Sequence, residues 1–170
     1  MVAQHEAEIV ACIPSLRRYA RGLAHDPECA DDLVQDTLER AWGRFSMWQR
    51  RGAVRAWMFG IMHNLHIDRM RSQRRTPEDA VGDDFTDTKA GVAAGARLEL
   101  RDLERALQRL PVEHREVLLL VGVEELSYKE IAAVIGVPIG TVMSRLSRAR
   151  ERLRAELEGR PIAAKIQRVK

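Results

Sequence analysis

The chain of 170 residues has few of the features that mark secreted, membrane-spanning or metal-binding proteins. It has only two cysteines, Cys12 and Cys29, which are too few for a disulfide scaffold and do not form a metal-ligand pair. No stretch approaches the apolar length of a membrane span, and the N-terminal segment MVAQHEAEIV lacks the basic region and apolar run of a secretory signal. We therefore expect a cytoplasmic protein in a reducing compartment, with no direct membrane insertion.

Motifs for catalysis are also scarce. His63, His66 and Asp68 form an H-x-x-H-x-D pattern, and residues three apart share a helix face, so a metal site is conceivable there. However, no HExxH pattern, further ligand cluster, glycine-rich phosphate loop or recognisable nucleophile setting accompanies them. We expect no enzyme activity, no metal and no cofactor, and histidines that face solvent or DNA.

Charged residues are abundant, and they are segregated along the chain. Residues 50–75 contain seven arginines and one acid, and residues 139–154 contain five arginines and one acid. Residues 26–39 contain six carboxylates and no lysine or arginine. Two basic segments and one acidic segment predict one polyanionic partner and a separate protein partner.

The segment LSYKEIAAVIGVPIGTV, residues 126–142, has the local signals of two helices joined by a tight turn. Ser127 and Glu130 have the spacing of a capping box, which begins a helix. Gly136 can adopt the left-handed conformation that ends that helix, and Pro138 suits the first turn of the next. The pattern predicts a DNA-binding helix-turn-helix, with a structural helical hairpin as the alternative.

The second of these helices, in residues 140–157, combines a narrow apolar face with many arginines. Its apolar residues recur with the spacing of a buried stripe, namely Val142, Leu146, Ala149 and Leu153. The opposite face has short or flexible polar side chains, flanked by arginines on both edges: Ser144, Ser147, Arg148 and Glu151, with Arg145, Arg150, Arg152 and Arg154. Such a helix fits the major groove, because the arginines reach phosphates while the short residues admit base edges. The alternative is a solvated amphipathic helix.

Two amphipathic helices are predicted earlier in the chain. In DDLVQDTLERAWGRF, residues 31–45, the apolar side consists of Leu33, Val34, Thr37, Leu38, Ala41, Trp42 and Phe45. The acidic side carries Asp32, Gln35, Asp36 and Glu39 and could be simply a solvated surface. The helix over residues 54–75 buries Val54, Trp57, Met58, Ile61 and Leu65 and ends in a basic cluster. Between the two helices, Trp48 and two arginines suit single-stranded nucleic acid.

The segment TPEDAVGDDFTDTKAGVAAGA, residues 76–96, has five acids, one lysine and no sustained periodicity. We interpret it as a flexible acidic linker whose charge is solubilising, competes transiently with DNA or inserts into a positively charged channel. The predicted fold is all-α, with two small helical domains at residues 1–75 and 97–159 and a basic tail at residues 160–170. The second domain contains the helix-turn-helix, and its earlier segment, residues 103–126, is expected to be mainly scaffold.

In this order, the motifs resemble bacterial sigma factors of the extracytoplasmic function (ECF) group, in the sigma-70 family. The resemblance rests on DDLVQDTLERAW, on VRAWMFGIMHNLHIDRMRSQRR, on LERALQRLPVEHREVLLLVGVEELSYKEIAAVIGVPIGTVMSRLSRARERL and on the irregular linker, and it covers nearly the whole chain. It implies a sigma-2 and a sigma-4 domain that direct promoter-specific transcription initiation. The partners it implies are core RNA polymerase, through its beta-prime clamp helices and beta flap, promoter DNA, and an anti-sigma factor that is often membrane-anchored.

The same resemblance implies which residues meet each partner. The acidic helix would dock on the clamp helices through Asp32, Leu33, Gln35, Asp36 and Glu39. The loop and the helix start after it would hold a flipped base of the minus-10 element through Trp48, Arg50, Arg51, Arg55 and Trp57, although Trp57 also suits core packing and Trp48 a cap on the domain edge. The recognition helix would read the minus-35 element through Thr141, Met143, Ser144, Arg145, Ser147, Arg148 and Arg152.

Two positions depart from the pattern of many relatives, which have an arginine in place of Met143 and a bulkier residue in place of Ser147. Methionine cannot make a bidentate contact with guanine, so we expect a methyl or shape contact at this position. The alternative function is a free-standing helix-turn-helix regulator that does not need the polymerase. The acidic docking helix and the basic aromatic loop favour a sigma factor, because a plain repressor needs neither.

Overall fold

A computed structural model of the protein describes residues 2–45, 48, 53–75 and 94–159. Within these residues the chain forms seven α-helices and no β-strand, which confirms the all-α prediction. In chain order, the helices are α1 Val2–Leu23, α2 Pro27–Arg44, α3 Val54–Arg75, α4 Ala94–Gln108, α5 Val112–Gly122, α6 Tyr128–Ile135 and α7 Ile139–Leu157.

Helices α1, α2 and α3 pack against one another as a three-helix unit. Helix α2 begins earlier than its apolar pattern predicts, because the Asp26 side chain accepts a hydrogen bond from the Cys29 amide at 2.9 Å and Pro27 occupies the first turn. At the centre of the unit, the Tyr19 and Phe59 rings meet edge to face with centroids 5.1 Å apart. Both rings are fully buried, so they anchor α1 to α3.

Helices α4, α5, α6 and α7 form the second unit, with α7 in contact with the other three. The predicted helix-turn-helix is present as α6 and α7, which are bent by 100° relative to each other. The capping box of Ser127 and Glu130 has both of its reciprocal hydrogen bonds, and Gly136 ends α6 in the left-handed region with φ of 69°. Val142, Leu146 and Ala149 are buried as the apolar stripe predicts, whereas Leu153, the fourth residue of that stripe, is half-buried.

The two units pack together, through contacts of α1 with α4 and α5 and of α3 with α6. Gly22 lets α1 approach α5 closely, since a Cβ atom there would lie 2.7 Å from the δ carbons of Leu119. Buried residues of both units join in one apolar cluster, which includes Leu16 and Met58 from the first unit and Val117 from the second. The closed arrangement therefore places residues of both predicted domains against one another.

Some sequence predictions need correction or lie outside the described residues. Trp42 was predicted to be a core residue, but it lies at the edge of the buried stripe of α2 and is 52% exposed. Most of the predicted linker and the whole basic tail at 160–170 lie outside the described residues. In the part of the chain that the structure describes, no single helix is long and apolar enough to cross a membrane, although α6 and α7 taken together as a bent pair meet the length and composition for one.

Candidate nucleic-acid and polymerase interfaces

The outward face of α7 presents the residues predicted to read the minus-35 element. Met143, Ser144, Ser147 and Arg148 are exposed, and Thr141, Arg145 and Arg152 are half-buried. The Ser144 hydroxyl donates to the Thr141 carbonyl at 3.1 Å, which keeps this side chain folded back on its own helix. Because the exposed face has short side chains near its middle and arginines at its edges, a nucleic-acid backbone can approach it closely.

His114 of α5 lies behind the arginine edge of this face. It is buried, and burial is the main cause that lowers its pKa, with Arg152 the next and Arg148 and Arg145 contributing. Its Nδ1 atom has no hydrogen-bond partner in the structure. The imidazole is therefore favoured in its neutral form and adds no positive charge beside the arginines.

Two of the residues predicted to hold the minus-10 base, Trp48 and Trp57, form an aromatic cluster with Phe45 at the junction of α2 and α3. The centroids of the Trp48 and Trp57 rings are 5.6 Å apart, and those of Phe45 and Trp48 are 5.7 Å apart. Both tryptophans are half-buried against the core. Packing in the first unit therefore explains the position of the Trp57 ring and of one face of the Trp48 ring. Arg50 and Arg51, the two loop arginines of the prediction, lie outside the described residues.

Arg55, the remaining arginine of that prediction, contacts the second helical unit. Its Nη2 atom donates to the Glu124 carboxylate at 2.6 Å and to the Glu124 carbonyl at 2.7 Å. Its guanidinium carbon also lies 5.5 Å from the centre of the Phe59 ring. The side chain remains 38% exposed, so Arg55 lies at the rim of the contact between the two units.

The residues predicted to contact the polymerase differ in how far α2 exposes them. Leu33 is buried in the core with 1% exposure, so its side chain does not lie on the exposed face in this arrangement, and its contact with the polymerase stays a prediction. Asp36 forms an ion pair with Arg69 of α3, which shields part of its charge and ties α2 to α3. The exposed side chains that remain are Asp32, Gln35 and Glu39, with Trp42 beside them, and the Gln35 amide donates to the Glu39 carboxylate at 3.1 Å.

Comparisons with known proteins agree with this arrangement. Residues 9–63 match the family model described as the Sigma2 domain of PhyR, and residues 100–153 match Sigma-70, region 4. The chain is 41% identical to the ECF RNA polymerase sigma factor EcfG of Rhodopseudomonas palustris over 150 residues, which cover 88% of this chain and 83% of that relative. The chain belongs to the ECF sigma factors.

Solved structures of sigma factors have the same fold. The sigma factor RpoE of Bartonella quintana, solved in complex with the anti-sigma factor NepR, is 35% identical with a TM-score of 0.78, covering 91% of this chain and 97% of its own. CnrH, solved with the cytosolic domain of CnrY, is 29% identical with a TM-score of 0.60, covering 93% of this chain and 85% of its own. ECF sigma factors direct promoter-specific transcription initiation by RNA polymerase, and this membership does not favour a free-standing regulator.

The contact between the units of this ECF sigma factor contains charged groups that sequence analysis assigned to scaffold. Glu116 of α5 is 1% exposed. Its carboxylate accepts a hydrogen bond from the Tyr19 hydroxyl at 2.8 Å and contacts the His63 ring. Burial is the main cause that raises the Tyr19 pKa well above its ordinary value, and the Glu116 carboxylate adds to it. Beside them, Arg115 donates to the carbonyl of Leu23 at 2.8 Å.

This contact also changes the interpretation of the histidines on α3. His63 is directed mainly into the junction of the two units, where it contacts Glu116, and its side chain is 14% exposed. His66 is buried, and desolvation is the main cause that lowers its pKa. Within the described ranges, no group of three His, Cys, Asp or Glu side chains is arranged to hold a metal ion. The sequence signal for this polar junction is Glu116 itself, an acidic residue at a position of α5 that faces the core.

Proposed function

We propose that this ECF sigma factor reads the minus-35 element with α7 and the melted minus-10 strand with the rim of α3 and the loop before it. The observation that carries the proposal is the exposed, arginine-flanked face of α7 on a helix-turn-helix fixed by its own capping box. Its seven contact residues are those named from the sequence, with Arg148 the most exposed of the arginines among them. On the first unit, Arg55 is the described side chain that best suits a phosphate.

We propose that the polymerase binds the exposed part of the acidic face of α2. Asp32, Gln35 and Glu39 provide charge and hydrogen-bonding groups, and the exposed ring of Trp42 provides apolar area of the kind enriched at interface centres. A groove beside this face is lined by Arg17 of α1 and Leu38 of α2. The beta-prime clamp helices and beta flap remain the predicted partners, and the cytoplasm is the proposed site of action because transcription takes place there.

An anti-sigma factor is the proposed regulator. Two of the similar solved structures are complexes of a sigma factor with such a protein, NepR in one case and CnrY in the other. Because this chain covers most of both sigma factors, surfaces for a comparable partner are expected on both helical units. Whether the partner is membrane-anchored stays a prediction from the family.

The proposal is tested by run-off transcription with bacterial core RNA polymerase on genomic promoter fragments, with and without this protein. The Arg148→Ala variant is expected to lower the yield of a sigma-dependent transcript about tenfold, because one lost contact with a base edge or phosphate costs about 1–3 kcal/mol. Arg109→Ala is the control, since Arg109 is 67% exposed in the turn after α4, where it pairs with Glu156 and is not among the seven predicted contact residues. If the protein binds duplex DNA tightly without polymerase and gives no transcript, it acts as a free-standing regulator instead.

Met143 is expected to contact a thymine methyl group. It is 53% exposed on the reading face, and its thioether packs against methyl groups but does not form a hydrogen-bonded pair with guanine. Once the minus-35 element is mapped, single thymine-to-uracil replacements in the duplex are expected to weaken holoenzyme binding about fourfold at one position. The Met143→Ala variant should lose that sensitivity, and Arg148→Ala should keep it. Equal sensitivity in the wild type and Met143→Ala would contradict the contact.

A further inference from the structure

Glu124 lies in the turn between α5 and α6, where the second unit meets α1 and α3. It is fully buried, which is unusual for a carboxylate. Its Oε2 atom accepts hydrogen bonds from Arg55 at 2.6 Å and from Arg18 at 3.3 Å. Both arginines belong to the first unit, so burial of Glu124 depends on the closed arrangement of the two units.

The backbone of this turn directs Glu124 inward and its neighbour outward. Glu125 is exposed and has φ of 54°, in the left-handed region that non-glycine residues seldom adopt. The amide of Glu124 donates to the Leu119 carbonyl at 3.0 Å, and that of Leu126 donates to the Leu120 carbonyl at 2.9 Å. These two hydrogen bonds fix the backbone before and after Glu125. They therefore also fix the position from which the Glu124 carboxylate reaches the first unit.

The ion pair is incompletely satisfied. The Nε atom of Arg55 and the Oε1 atom of Glu124 are both buried, and neither has a hydrogen-bond partner in the structure. A well-formed arginine–carboxylate fork would use both atoms. A phosphodiester can accept two parallel hydrogen bonds from a guanidinium group, so it is a better ligand for Arg55 than the carboxylate that Arg55 has in the closed chain.

We propose that Glu124 occupies the place of a DNA phosphate at Arg55 and so holds the two units closed until the promoter strand replaces it. This inference rests on the proposed role of Arg55 in minus-10 binding. In the closed chain, the carboxylate neutralises the arginine and blocks its approach to DNA. When the units separate, Glu124 returns to water and Arg55 becomes available to the displaced strand.

Closure is measured through paired spin labels on the free, full-length chain. In a Cys12→Ala background, one label is placed on the exposed Cys29 and the other on an introduced cysteine at Glu151, an exposed position of α7. The wild type is expected to give one narrow distance distribution. Glu124→Lys should broaden and lengthen it, whereas Glu125→Lys, with the same change in net charge, should not. Identical distributions for the two variants would overturn the latch.

Competition is measured separately, as binding of the same free chains to a fluorescent single-stranded DNA of about 20 nucleotides of random sequence. Glu124→Lys is expected to bind about tenfold more tightly than Glu125→Lys, because a larger fraction of the chain exposes Arg55. Adding Arg55→Gln should remove that gain. A gain that persists without Arg55, or opening without any gain, would overturn the competition with DNA.

Two further controls keep the outcomes distinct. Circular dichroism shows whether Glu124→Lys has lost helix. If it has, Arg55→Glu is used instead, because it breaks the same ion pair from the first unit and places two carboxylates together. This variant must then lengthen the label distance. Sigma activity itself is measured by run-off transcription with core polymerase, which does not depend on how the free chain closes. A normal transcript with an unchanged label distance would therefore reject the latch and leave the proposed function intact.

Discussion

Replacement of Glu116 with alanine is expected to lower the free energy of unfolding of the full chain by about 3 kcal/mol or more. The carboxylate is buried and pairs with the Tyr19 hydroxyl and the His63 ring, which come from two different helices of the first unit. Alanine would remove the acceptor of the buried Tyr19 hydroxyl, and it would also leave a cavity beside that hydroxyl. The change is measured by urea unfolding followed through circular dichroism.

A matched control is available on the same helix. Glu113 is exposed in the first turn of α5, so Glu113→Ala should cost less than about 1 kcal/mol, the usual size of a helix-dipole contribution. A double-mutant cycle of Tyr19→Phe with Glu116→Ala adds a direct test, because the two residues belong to different units. A coupling energy near zero, or equal effects of Glu113→Ala and Glu116→Ala, would mean that the units do not dock through this surface in solution.

The helix-turn-helix could be predicted from sequence because its signals are local. A capping box needs only Ser127 and Glu130, three residues apart, and the turn needs only Gly136, whose missing Cβ permits a positive φ. The buried stripe of α7 likewise follows from spacing within one helix. Such features depend on backbone geometry over a few residues, so the structure has them where the pattern places them.

The junction between the two units could not be predicted in this way. Tyr19 and Glu116 are 97 positions apart, and Arg55 and Glu124 are 69 apart. No periodicity links residues at such separations, because their contact depends on how whole helices pack. Helix α1 illustrates the same limit, since sequence analysis assigned it no role and in the structure it contacts α4 and α5 of the second unit, as α3 contacts α6.

The acidic helix α2 is an intermediate case. Its stripe correctly separates a buried side from a polar side, but residues at the boundary depend on what lies next to them. Leu33 turns fully inward, Trp42 turns largely outward, and Asp36 is drawn to Arg69 of α3. A helical wheel cannot distinguish these outcomes because it contains no neighbouring helix. The exposed part of the predicted polymerase contact is therefore smaller than the set of residues named from the sequence.

The exposure and ion pairing of the α2 side chains determine which substitution tests the polymerase contact best. Glu39→Arg is expected to weaken binding of the ECF sigma factor to core RNA polymerase roughly a hundredfold, since like charges placed together at an interface cost several kcal/mol. Glu39 is exposed and accepts a hydrogen bond from Gln35 of the preceding turn of the same helix, so the fold should tolerate the change. Asp36→Arg is a poorer choice, because it would also place a cation against Arg69.

The measurement is a binding titration of fluorescently labelled protein with core enzyme, at two salt concentrations. Glu8→Arg on α1 is the control, since Glu8 is also exposed and the net charge changes equally. A long-range effect of net charge would weaken both variants alike and would disappear at higher salt, where exposed charges are screened beyond about 8 Å. A direct contact at Glu39 would weaken only the one variant and retain much of its effect in salt. Equal affinities of Glu39→Arg and Glu8→Arg would place the polymerase contact on another face of the first unit.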